Sequence, residues 1–100
     1  MKQSAMAASQ ATITAEVLGP AKLMNRLAKH WAHKFDIGLT ESSADIPFPF
    51  GRCVLRVDGP TLQATVEAGD PESLAKVETV VADHLVRMAR EPLEVRWAPL

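Results

Sequence analysis

Three histidines and one cysteine are the residues of this 100-residue chain best suited to chemistry. His30 and His33 stand three apart, a spacing that on a helix can bring two imidazoles onto one metal ion. Cys53 and His84 are the other soft or borderline ligands. A Cys/His centre requires at least three of these four to meet at bonding distance, and His30, His84 and Cys53 are the candidate set. Cys53 would act as a thiol nucleophile only if it were exposed, with a depressed pKa and His30 or His84 beside it as base. No paired CxxC knuckle, nucleophile elbow, phosphate-binding glycine loop or dinucleotide fingerprint accompanies these residues.

The charge pattern offers a second kind of chemistry. Residues 20–35 hold four Lys/Arg, two His and no acid. At 100° per residue, Lys22, Arg26, Lys29 and His33 form a basic stripe opposite an apolar arc of Leu23, Met24, Leu27, Ala28 and Trp31. Acids gather elsewhere, at Glu41, Asp45, Asp58, Glu67, Asp70 and Glu72. Such a layout steers an anionic ligand or an acidic protein surface toward the helix. The same stripe also suits a plainly solvated helix face. Helical phase sets His33 on that stripe, about 60° from His30. His84 falls at the edge of another apolar arc, where a rim histidine with one hydrogen bond is expected. Cys53 points inward, as a small buried hydrophobe would.

The elements that must position these residues follow from periodicity. Residues 11–18 alternate, with Ala11, Ile13, Ala15 and Val17 on the inner face, and Gly19-Pro20 ends the run. A helix is expected from Pro20 to about Lys34. Ile37 and Leu39 suggest a short strand. The run Ile46-Pro47-Phe48-Pro49-Phe50-Gly51 predicts an edge strand or extended loop with its aromatics turned inward. Residues 52–58 and 61–68 alternate around Asp58-Gly59-Pro60 and predict a hairpin. Asp70 and Pro71 start a second helix with Leu74, Val77, Val81, Leu85 and Met88 on one face. Glu72–Lys76 and Asp83–Arg87 are i,i+4 pairs on it. Pro92 stops that helix, and Leu93, Val95 and Trp97 alternate in a last strand. The fold class is α+β: a two-layer sandwich, antiparallel sheet with two helices on one face, in the order β-α-β-(β)-β-β-α-β.

Length and composition set the bounds. The chain has room for one domain, expected over 11–100, with residues 1–10 as a flexible terminus. Apolar residues make up 47% and the formal net charge is -1, so nucleic acid is not an expected partner. The outer sheet face, with Thr12, Thr14, Glu16, Arg52, Arg56, Gln63, Thr65, Glu67, Glu94 and Arg96, shows none of the aromatics that read RNA. It suits solvation, cross-strand ion pairs or a homodimer contact. No apolar run has the length of a membrane span, and polar residues interrupt every candidate signal window. One cysteine fits a reducing compartment, so a cytoplasmic location is expected.

Three blocks resemble the bacterial domain-of-unknown-function family 2218: Lys29-His30-Trp31-Ala32-His33-Lys34, Ile46-Pro47-Phe48-Pro49-Phe50-Gly51-Arg52-Cys53, and Val80-Val81-Ala82-Asp83-His84-Leu85. The resemblance covers about residues 11–97. The family pattern falls on His30, His33, Lys34, Phe48, Gly51, Cys53, His84 and Arg87, with Met88 where relatives often place an aromatic. Similar domains occur fused to siderophore-interacting flavoproteins, so the resemblance implies a context in iron handling without an established activity. The expected function is a non-catalytic binding or accessory domain. It would take a protein partner or an anionic iron chelate, with His30, His33, Lys34, Cys53, His84 and Arg87 as the candidate binding residues. The alternatives are a small metal- or thiol-dependent enzyme using Cys53 with His30 or His84, and a structural homodimer. No cofactor is assigned.

Overall fold

A computed structural model describes residues 7–100. The elements run β1 (Ala7–Ile13), α1 (Pro20–Trp31), β2 (Gly38–Leu39), β3 (Ser43–Phe48), β4 (Gly51–Asp58), β5 (Thr61–Ala68), α2 (Pro71–Ala89) and β6 (Ala98–Pro99). They form one antiparallel sheet in the order β2-β3-β4-β5-β1-β6. This is the expected α+β sandwich. Inward positions alternate along every long strand: Ala11 and Ile13, Ala44 and Ile46, Cys53 and Leu55, Leu62, Ala64 and Val66. They meet Leu23, Met24, Leu27, Ala28 and Trp31 of α1 and Val77, Val81 and Leu85 of α2 in one core. Each strand has a single buried face because both helices lie on the same side of the sheet.

Local signals explain the boundaries. Asp70 accepts from the Ser73 amide at 2.7 Å, and Pro71 follows where its missing N–H costs nothing. Helix α2 ends with Arg90 in the left-handed conformation (φ 56°), two residues before Pro92. Gly51 must be glycine for lack of space. A Cβ there would stand 2.5 Å from Val77 Cγ2 and 2.6 Å from the Glu67 carbonyl oxygen. That close approach seats α2 on the β4–β5 margin.

Several expectations need correction. Strand β1 begins at Ala7, so residues 7–10 belong to the sheet and only 1–6 of the expected flexible terminus lie outside the described residues. Ser9 is buried, and its hydroxyl donates to the Glu78 carboxylate at 2.5 Å, tying β1 to α2. Val17 is not inward but 88% exposed. The ladder with β5 ends at Ile13, and the amide of Gly19 closes a turn on the Ala15 carbonyl at 2.8 Å. The Glu91 carboxylate accepts from the amides of Val17 and Leu18 at 3.0–3.2 Å and fixes that turn. The last strand pairs only at Ala98 and Pro99 with Gln10 and Ser9. Leu93, Val95 and Trp97 are half-buried, so their alternation reports which side faces the core, not a hydrogen-bonded partner. Helix α1 stops at Trp31, although the amides of Lys34 and Phe35 still return to the Trp31 carbonyl. Glu72 and Lys76 do not close an ion pair, whereas Asp83 and Arg87 do, at 3.5 Å.

On the outer face, Arg52 bridges Asp45 and, at 3.9 Å, Glu67. Hydrogen bonding to Arg52 holds the Asp45 carboxyl below its ordinary pKa. The cross-strand ion pairs expected for this face are therefore present.

Candidate functional site

Helices α1 and α2 run antiparallel across the sheet, and their contacts pair off along the length. The start of α1 meets Glu91, Arg26 donates to the Met88 carbonyl at 3.0 Å, and His30 reaches His84. The functional candidates gather where the last turn of α1 crosses α2.

The rings of His30 and His84 stand 5.0 Å apart, centroid to centroid. His33 is 6.4 Å from His30, edge to face. Trp31 lies beneath, buried, 4.8 Å from His84 and 6.0 Å from His30. An aromatic chain extends from it. Phe48 meets Trp31 edge-on at 5.0 Å and Phe35 at 5.4 Å, and Phe50 stacks on Phe48 at 5.5 Å. The three histidines thus cap the end of an aromatic row, which holds them by packing.

His84 Nδ1 lies 2.8 Å from the Val80 carbonyl oxygen, which can only accept. Nδ1 therefore carries the proton, and in the neutral ring the Nε2 lone pair is left free. His30 titrates below its ordinary value of 6.5. Partial loss of water comes first among the causes, then the positive charges of His84, His33, Lys34 and Arg87. The side chains whose charge lowers the His30 pKa are all basic ones. The nearby acid Asp83 is engaged with Arg87.

Five of the six predicted binding residues are connected: His30, His33 and His84 by ring contact, Lys34 and Arg87 by the charge they exert on His30. The sixth is not. Cys53 is wholly buried in β4, between Ile46 and Val66 of the neighbouring strands. Burial pushes its thiol far above the ordinary value. Thiol catalysis needs the opposite environment, so Cys53 is a core residue and not a nucleophile. Nor does it join the histidines as a ligand. Among the described residues, no three His, Cys, Asp or Glu side chains are grouped so as to hold a metal ion. The candidate set His30, His84 and Cys53 fails because Cys53 belongs to the inner sheet face and the histidines to the helix rim.

The basic stripe is partly spent on structure. Lys22, Lys29 and His33 are exposed, but Arg26 spans to the end of α2. Sequence reasoning set His33 apart from His30 by helical phase. Ring size and the frayed turn after Trp31 let the two meet across that angle. Sequence reasoning read Phe35, Phe50 and Val80 as packing residues and did not link them to the histidines. The Pro-Phe-Pro-Phe run carried the signal for Phe50, since extended backbone places alternate rings on the same side.

Among the described residues, two surface depressions bear on the site. One, about 480 Å³, lies between Phe50 and the α2 residues Ala75, Lys76, Thr79 and Val80, beside the histidines. The other, about 520 Å³, lies on the outer sheet face around Gln10, Arg56, Asp58 and Gln63 and shares no residue with them. No helix among the described residues is long and apolar enough to cross a membrane.

Comparison with known proteins places this arrangement among relatives. The family described as "Uncharacterized protein conserved in bacteria (DUF2218)" matches residues 5–98. The chain is also similar to a solved protein, the NMR structure of PA4090 from Pseudomonas aeruginosa. The two are 37% identical, with a TM-score of 0.75 over 93% of this chain and 96% of that one. No curated protein matches the chain.

Proposed function

The chain belongs to the DUF2218 family of uncharacterised bacterial proteins, and we propose that it is a non-catalytic binding domain for an anionic small ligand. The ligand sits at His30, Lys34, His84 and Arg87. One observation carries this reading: the rings of His30 and His84 face each other at 5.0 Å with His33 at 6.4 Å from His30, and Lys34 and Arg87 add positive charge at His30. Gathering like charges raises their energy, and a bound anion relieves it. Arg87 and Lys34 supply fixed charge, and the histidines supply hydrogen bonds that strengthen on protonation.

The resemblance to domains fused to siderophore-interacting flavoproteins supports an anionic ferric chelate as the first ligand class, and with it an accessory role in iron handling. Gallium(III) citrate is a diamagnetic stand-in for such a chelate. Added to the protein at low salt, it should shift the ring resonances of His30 and His84 with a dissociation constant below about 1 mM. Charge reversal in Lys34→Glu with Arg87→Glu should weaken binding more than about tenfold. Added salt should weaken it progressively. Unmoved histidine resonances would overturn the reading.

A further inference from the structure

Next to the histidines lies an apolar groove that anion binding alone leaves unused. Phe50 forms one wall, and Ala75, Lys76, Thr79 and Val80 of α2 form the other. No acid lines it. The groove and the histidine cluster share their parts. Val80 lines the groove with its side chain, and its carbonyl accepts the His84 hydrogen bond. Phe50 continues through Phe48 and Trp31 to His84 as one aromatic row. Lys76, Val80 and His84 follow one another at i,i+4 along α2, so the groove and the imidazole occupy one edge of the helix. The groove therefore has Lys76 at one end, and His84, with His30 5.0 Å from it, follows Val80 at the other.

Exposed apolar walls ending on clustered cations fit one kind of occupant: an apolar body with an anionic head. We infer that groove and cluster form a single site for a medium-chain monocarboxylate, with its acyl chain along Phe50 and Val80 and its carboxylate at His84 and Arg87. The inference rests on the anion-binding reading and adds the ligand's apolar half. From His84 to Lys76 is just over two helical turns, about 12 Å, close to the length of an extended octanoate. Asp83 is the competing carboxylate at Arg87. Their ion pair is exposed on both sides, and such pairs exchange readily for another carboxylate.

The test is a titration of the full chain with acetate, butyrate, hexanoate and octanoate, read from the ring resonances of His30 and His84 and the methyls of Val80. Gallium citrate is titrated in parallel. Affinity is expected to rise up to about fourfold for each added methylene. Octanoate should move the histidine rings and the Val80 methyls together. Ala75→Trp, at an exposed position, fills the groove without adding charge. It should flatten the chain-length dependence while gallium citrate still binds. Equal affinity for acetate and octanoate, with gallium citrate binding intact, overturns the groove and spares the anion site. Octanoate that moves Val80 but leaves the histidines still overturns the single site. Failure of every anion to bind overturns both readings.

Discussion

The rings of His30 on α1 and His84 on α2 lie 5.0 Å apart, tilted 48° to one another. His84 is the first of the charged neighbours that lower the pKa of His30. The contact is a product of helix docking. Arg26 fastens α1 to the end of α2, Glu91 fastens the turn that precedes α1, and an antiparallel pair set in that register brings residue 30 opposite residue 84. The site thus depends on tertiary hydrogen bonds away from it.

This contact makes stability depend on pH in a defined direction. The folded pKa of His30 lies below its ordinary 6.5. Well above that value the ring is neutral in both states and adds no pH dependence. As pH falls through 6.5, the unfolded chain takes up the proton before the folded one, so stability falls until the folded pKa is passed. Urea midpoints measured from pH 8 to pH 5 should fall in the native chain. They should fall less in His30→Gln, and identical profiles would contradict the assigned cause.

Gly51 is required by space rather than by backbone conformation. Gly51→Ala drives a methyl into Val77 Cγ2 and the Glu67 carbonyl, and should cost about 1–3 kcal/mol. Val77→Ala removes one of the two obstacles. In a double-mutant cycle the pair should be less destabilised than the sum of the single changes. Strict additivity, measured by denaturant unfolding, would show that Val77 is not the obstacle.

Cys53 should behave as a core residue. In the native protein its thiol should resist iodoacetamide at pH 8 and react only on unfolding, because burial both excludes the reagent and disfavours the thiolate. Cys53→Ser should cost about 1–3 kcal/mol, since the new hydroxyl is buried among Ile46, Val66 and Leu55. Rapid native alkylation would return Cys53 to the list of reactive groups.

Much of the fold could be read from the residues, because its signals are local. Alternation placed Cys53, Leu55, Leu62, Ala64 and Val66 on the inner face, and Asp70-Pro71 marked the start of α2. Ser9 misled because a small polar residue in a short alternation resembles a tail. Its burial depends on Glu78, far along the chain. Val17 misled because alternation continued past the point where the ladder lost its partner. The site was legible by residue type but not by geometry. His30 and His84 meet through the docking of two helices, and no spacing along either helix encodes that distance. Cys53 was grouped with them by chemistry, while the strand's own parity already sent it inward.

The margins of the sheet carry a consequence for behaviour at high concentration. Strand β2 covers β3 only at Ala44 and Asp45, so the outer side of β3 from Ile46 to Phe48 has no neighbouring strand. An uncovered margin is a template on which another chain can grow. Here Pro47 occupies it, and a proline in a paired strand keeps its hydrogen-free nitrogen toward the open side. At the opposite margin, β6 is two residues long and ends in Pro99. In the language of polymer chemistry, proline acts as a chain terminator at the β3 margin. That proline-rich margin is thereby a poor place for a second copy to add by strand pairing.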